Sequence, residues 1–259
     1  MKKATMITHQ GWADHFSCNG LVNHYSKKFD SLILFAIDEK VAIMLRSMYS
    51  DAKNVNVIVP KTVEHSQINF GSETCIACHT TGTKFGCPRF GGSCRYIDYS
   101  IYNEYENIKV GAFKDFKDWS TFLSNSKKSF AHCFYSYEGL AEHVRISNFH
   151  FSEAPQIEKP SDEYLVLHDD AQRGFIIQKP SRNFVQLNQM SKIMIDTVDI
   201  IKNSEQIHVI DSNYSVMIHL LSFHDQALAK IPKFLHASAR IARDIGIYTD
   251  PVPNEWRVL

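Results

Sequence analysis

Residues 3–37, KATMITHQGWADHFSCNGLVNHYSKKFDSLILFAI, decide how the rest of the chain reads. ATMIT at 4–8 predicts a short apolar strand, and HQGWAD at 9–14 a tight connection with one glycine. Residues 15–28 predict a helix, and SLILFAI at 31–37 a second strand of β-branched and long apolar residues. This order opens a parallel β-α-β unit. The C-terminal end of such a strand and the N-terminus of its helix share one crevice, where unpaired backbone N–H groups and the helix dipole favour anions. That end carries His9, Gln10, Gly11, Trp12, Asp14 and His15, which makes the loop a site candidate. Helix capping by Asp14, with solvent-facing histidines, explains the same residues.

Working outward, EKVAIMLRSMY at 39–49 places Val41, Met44, Leu45 and Met48 on one helical face. NVNVIV at 54–59 alternates as a third strand and stops at Pro60, so a βαβαβ half-sheet is complete by about residue 60. The tyrosines at 99, 102 and 105 recur every three residues. With no basic residues interleaved, packing explains them better than a nucleic-acid platform.

A chain of 259 residues that is 44% hydrophobic can fill one large or two small cores. Its 28 Lys and Arg balance 28 Asp and Glu, which argues against nonspecific nucleic-acid binding as the main role. No terminal segment joins a basic region to a long apolar run, so the expected location is cytoplasmic, without a transmembrane segment. Peripheral contact with a membrane stays open.

Residues 71–95, GSETCIACHTTGTKFGCPRFGGSCR, interrupt the α/β rhythm with a cysteine-rich insert in the first lobe. Cys75 and Cys78 form a CxxC pair, and Cys87 and Cys94 follow. Four thiolates around glycine-containing turns suit one structural Zn²⁺, which would replace the missing apolar core; His79 is a substitute ligand. Free thiols, a Cys75–Cys78 redox pair, disulfides in an exported protein and an iron–sulfur cluster are the other readings. Cys18 and Cys133 lie apart in helical text and read as buried thiols.

EAPQIEKPSDE at 153–163 has no apolar period and reads as a linker. Beyond it YLVLH at 164–168 is a strand running into Asp169, Asp170, Arg173 and Gly174, either a ligand-side cluster or an ordinary charged turn. FIIQ at 175–178 predicts a second short extended run before Lys179, residues 190–203 predict a helix, and EQIHVID at 205–211 predicts a strand. Asp211 and Ser212 then open a helix at 213–223, where a carboxylate, a hydroxyl and an orphan N–H can meet a phosphate or sugar. KDFKDWSTFLS at 114–124 reads as a short amphipathic helix, residues near 236–245 as another, and the tail at 241–259, ending in NEWRVL, is expected to pack back on the N-terminal domain.

The ordered set GWADHFSCNGLVNHY, FYSYEGLAEHVRISNFHF, YLVLHDDAQRGFII, DIIKNSEQIHVIDSNYS and HASARIARD with NEW resembles a family of small GT-B-like glycosyltransferases of bacteria and large viruses. It is also distantly similar to the heptosyltransferases. The resemblance spans roughly 5–60 and 130–259 and implies an α/β fold of two Rossmann-like lobes. The domains expected are 1–152, an acceptor-side lobe including the insert, and 164–240, a lobe binding a nucleotide-sugar donor. It implies transfer of the sugar to a glycan or other hydroxyl acceptor, with no organic cofactor and no catalytic metal. Asp14 matches the family's general base, with His15 the rival; Gly11, Arg173, Lys179, Asp211 and Ser212 would bind substrate. Trp12–Ala13 and Asn213 depart from the family's glycines. A non-catalytic nucleotide-sugar-binding protein and a metal-scaffolded interaction module are the alternatives.

Overall fold

The period-two pattern of the opening strands sets the first layer. A computed structural model describes residues 1–8, 12–64, 73–75, 93–110, 134–136, 138–141, 143–152, 157–160, 162–237 and 256–259. The first half contains β1 (Lys3–Ile7), α1 (Trp12–Ser17), α2 (Asn19–Ser26), β2 (Ser31–Phe35), α3 (Glu39–Met48) and β3 (Val55–Ile58). It continues through β4 (Thr62–Glu64), β5 (Glu73–Cys75), β6 (Ser93–Asp98), β7 (Glu106–Lys109) and α4 (His143–Ser147). The second half contains β8 (Leu165–His168), β9 (Phe184–Gln186), α5 (Leu187–Met190), α6 (Val198–Lys202) and β10 (Ile207–Val209). After these come α7 (Asn213–Ser222), α8 (Gln226–Lys230), β11 (Lys233–Leu235) and β12 (Trp256–Val258).

These elements make an α/β fold with two sheet-containing lobes, each a parallel sheet flanked by helices. The first sheet runs β3-β2-β1-β7 and the second β12-β11-β10-β8-β9. A small antiparallel sheet, β4-β6-β5, belongs to the first half.

Alternate residues of β1 and β2 serve two layers. Ala4, Met6, Leu32 and Leu34 bury in one cluster with Leu21 and Val22 of α2 and Met44 and Leu45 of α3. Ile7, Ile33 and Phe35 face the other way, toward Ile97, Tyr99 and Tyr102. Tyr102 meets the Phe35 ring edge-on at 5.5 Å between centroids, so the tyrosine series packs the sheet from a 3-10 turn at Tyr99–Tyr102. Asp38 starts α3 by accepting from the Val41 N–H at 2.9 Å.

The helix expected over 15–28 is two helices meeting at Cys18, whose side chain is buried. Where they break, the Ser17 carbonyl accepts the Tyr135 hydroxyl at 2.8 Å. Asn19 and Asn23 replace a missing strand partner for the chain at 148–150. Asn19 exchanges hydrogen bonds with the His150 backbone, 2.8 Å each way, and Asn23 donates to the carbonyls of Asn148 and His150. Gly20 lets this part of the chain close in: a Cβ there would stand 2.8 Å from the carbonyl oxygens of Val144 and Arg145 and from the Tyr135 hydroxyl.

Three other expectations change. The single helix at 190–203 is instead α5, an extended step at Ser191, a 3-10 turn (Met194–Thr197) and α6, because Ser191 (φ −149, ψ 153) is in the β region. The FIIQ run forms no strand; it is tied into a turn in which Gly174 takes φ 79. Residues 256–258 pair with β11 as an edge strand of the second sheet, with Trp256 buried, so the end of the chain packs there rather than on the first lobe. The helices expected at 114–124 and near 236–245 fall wholly or mostly outside the described residues.

A buried apolar cluster continues from one lobe into the other. Helix α1 packs against α7, and α3 packs against the Met194–Thr197 turn. Among the described residues, no helix is long and apolar enough to cross a membrane.

Candidate ligand-binding site between the lobes

In the second sheet the strand order reverses at β8. Strand β9 lies on one side of it and β10, β11 and β12 on the other. The chain leaving β8 and the chain leaving β10 therefore diverge, opening a crevice beyond their C-terminal ends. A cavity of about 520 Å³ is lined there by His168, Asn188, Ser191, Lys192, Ile193, Met194, Asn213 and Tyr214. Lys40 and Ile43 of α3 complete its wall from the first lobe.

Local sequence explains how each group arrives. His168 is the last residue of β8, in register with Val209 of β10. Ser212 caps α7: its hydroxyl accepts from the Tyr214 N–H at 3.2 Å, while Ser215 Oγ accepts the Ser212 N–H at 3.0 Å. Ser212 Oγ also lies 3.2 Å from His168 Nδ1, and the Tyr214 ring covers the imidazole at 4.4 Å. Burial pushes the His168 pKa down to about 4 against the opposing pull of Asp169 and Asp170, so the ring is neutral at pH 7. Asp169 holds the wall behind it, its carboxylate accepting from Gln186 Nε2 at 2.8 Å and the Ile177 N–H at 3.2 Å. Two exposed ammonium groups, Lys40 and Lys192, flank this neutral floor.

The residues expected from sequence divide between places. Ser212 reaches the cavity through His168, while Asp211 is fully buried. Arg173 pairs with Asp170 within its own turn and lies over Phe175 at 5.5 Å. Lys179 lies over Phe184, at the start of β9, 5.8 Å from the ring centre. Neither lines the cavity. Asp14 is the third residue of α1, inside the helix rather than at a cap, and is 4% exposed. His15 is 2% exposed, with Nδ1 2.8 Å from Thr8 Oγ1. Both belong to the helix packed on α7. Gly11 lies outside the described residues, as do Cys78 and Cys87. Cys75 and Cys94 are on the adjacent strands β5 and β6. Among the described residues no group of three or more His, Cys, Asp or Glu is arranged to hold a metal ion.

Lys40, His168, Asn188 and Lys192 were not among the residues expected from the sequence. His168 carried the usable signal, since it ends the apolar strand whose next residues were weighed as ligand-side groups. Lys192 was hidden by the expectation of one continuous helix. No protein-family model, curated protein or solved structure matches the chain.

Proposed function

We propose that the protein is a GT-B-like glycosyltransferase with Rossmann-like lobes, moving a sugar from a nucleotide-sugar donor to an acceptor hydroxyl. The observation that carries this reading is the cavity beyond β8 and β10, walled by both lobes. Its volume suits a small-molecule ligand. Lys40, Lys192 and the N-terminus of α7 would neutralise the departing diphosphate, in place of Arg173 and Lys179. The apolar surface of Ile43, Ile193 and Met194 and the Tyr214 ring would receive the base or sugar. His168 offers a neutral imidazole for hydrogen bonding to ligand oxygens.

Asp14 is the general base of this scheme; it is buried on α1, the helix that packs on α7, so its carboxylate must become accessible before an acceptor reaches it. The same burial favours the second reading, a nucleotide-sugar-binding protein without turnover. Calorimetric titration with several nucleoside diphosphates, followed by turnover assays of Asp14→Asn and His15→Gln, separates the two. Binding with turnover lost only in Asp14→Asn, by about 10²-fold or more, supports the transferase. Binding without turnover in the unmodified chain supports the second reading, and no binding by folded protein removes both.

A further inference from the structure

His208 Nδ1 and His236 Nε2 face each other 3.0 Å apart on neighbouring strands of the second sheet. His208 is the middle residue of β10, between Ile207 and Val209, whose side chains bury in the main core; it projects from the opposite face. His236 immediately follows β11, and its N–H donates to the Val209 carbonyl at 2.8 Å. The pair is therefore built into the sheet and stands apart from the interlobe cavity, whose lining includes neither residue.

Both rings are half-buried and oriented before any ligand arrives. His208 stacks on Phe234 with centroids 4.5 Å apart and planes 13° from parallel. Its Nε2 lies 3.2 Å from Gln206 Oε1. That amide oxygen only accepts, so His208 carries its proton on Nε2 and turns the Nδ1 lone pair toward His236. A carbonyl oxygen that accepts from the far ring nitrogen is the usual support of a metal-binding imidazole. Burial lowers the pKa of both histidines, so neither ring carries a second proton at neutral pH and each keeps one lone pair.

The geometry points to a divalent transition-metal site at His208 and His236. Metal–nitrogen bonds of about 2.0–2.1 Å spanning that nitrogen separation subtend roughly 94° at the ion, whereas a tetrahedral angle needs about 3.4 Å between nitrogens. The near-right angle favours Ni²⁺ or Cu²⁺ with cis imidazoles over tetrahedral Zn²⁺. Without metal, His236 Nε2–H donates to His208 Nδ1. On binding, the His236 proton moves to its own Nδ1, two N–metal bonds form, and no net proton is released. The remaining coordination positions are open to water or an external donor.

The test is calorimetric titration of tag-free full-length protein with Ni²⁺, alongside long-range ¹H–¹⁵N spectra of the imidazoles. The expected result is one equivalent of Ni²⁺ that perturbs the His208 and His236 resonances. His208→Gln and His236→Gln should each weaken that equivalent by about 10²-fold, and Gln206→Leu by about 10-fold. Circular dichroism checks that the variants remain folded. The spectra of the unmodified chain decide the matter even where a variant unfolds. Resonances of His208 and His236 left unchanged by Ni²⁺, or full binding retained in both folded histidine variants, would overturn the site.

Discussion

Ser212 Oγ sits 3.2 Å from His168 Nδ1, joining the end of β8 to the first turn of α7. The same hydroxyl caps the helix by accepting from Tyr214 N–H. Ser212→Ala should cost about 1–2 kcal/mol of stability, seen as a lower urea midpoint with unchanged slope. Ser212→Asp, which still caps, should recover most of that loss.

Acid should weaken the fold through its buried neutral histidines. His168 and His219 both have folded pKa values lowered to about 4, first by burial, against an ordinary 6.5. The unfolded chain therefore binds more protons between these values. The histidine contribution is complete above pH 6.5 and is lost as pH falls toward 4, on the order of 3 kcal/mol for each residue. Urea midpoints measured across that window should fall with pH, and His219→Gln should flatten the slope.

Two glycines predict opposite kinds of damage. Gly20→Ala drives a methyl to 2.8 Å from two backbone carbonyls, and rigid backbone cannot yield cheaply. A loss of about 2–3 kcal/mol is expected. Gly174→Ala meets nothing within 4 Å and pays only for φ +79, about 1 kcal/mol. Thermal melts of the two variants should rank them in that order.

If nucleoside diphosphates occupy the interlobe cavity, Lys40→Ala and Lys192→Ala should each weaken their binding by roughly 10-fold, and added salt should weaken it further. Arg173→Ala, already paired with Asp170, should leave affinity within about twofold. Loss in Arg173→Ala alone would move the phosphates to the other side of the turn.

Metal analysis of protein purified without added metal tests the structural zinc expected at Cys75, Cys78, Cys87 and Cys94. One zinc per chain, lost in Cys75→Ser, is the expected result. A metal-free folded chain would leave the thiols without that role.

What the chain disclosed in advance follows the range of the forces involved. Strands β1 and β2 and helix α3 were legible because Ala4, Met6, Leu32, Leu34, Val41 and Met48 repeat with local periods. The break at Cys18 was not, since it is satisfied by a Tyr135 hydroxyl 118 residues from Ser17. The cavity was half legible. Ser212 announced itself as a cap, but Lys40 matters only because the lobes bring α3 beside residues 191–194. Arg173 shows the converse: a cation after a strand, read from sequence as a ligand group, it pairs with Asp170 inside its own turn and does not line the cavity.

The contact of α1 with α7 gives the two lobes a common fulcrum. Apolar side chains shared across that seam make prying it apart costly, whereas the side bearing Lys40 and Lys192 is solvated and cheap to widen. Small rocking about the seam would admit a ligand at the lysine side without exposing the core. Heating should melt both lobes in one cooperative transition, because neither can lose its packing and leave the other's intact.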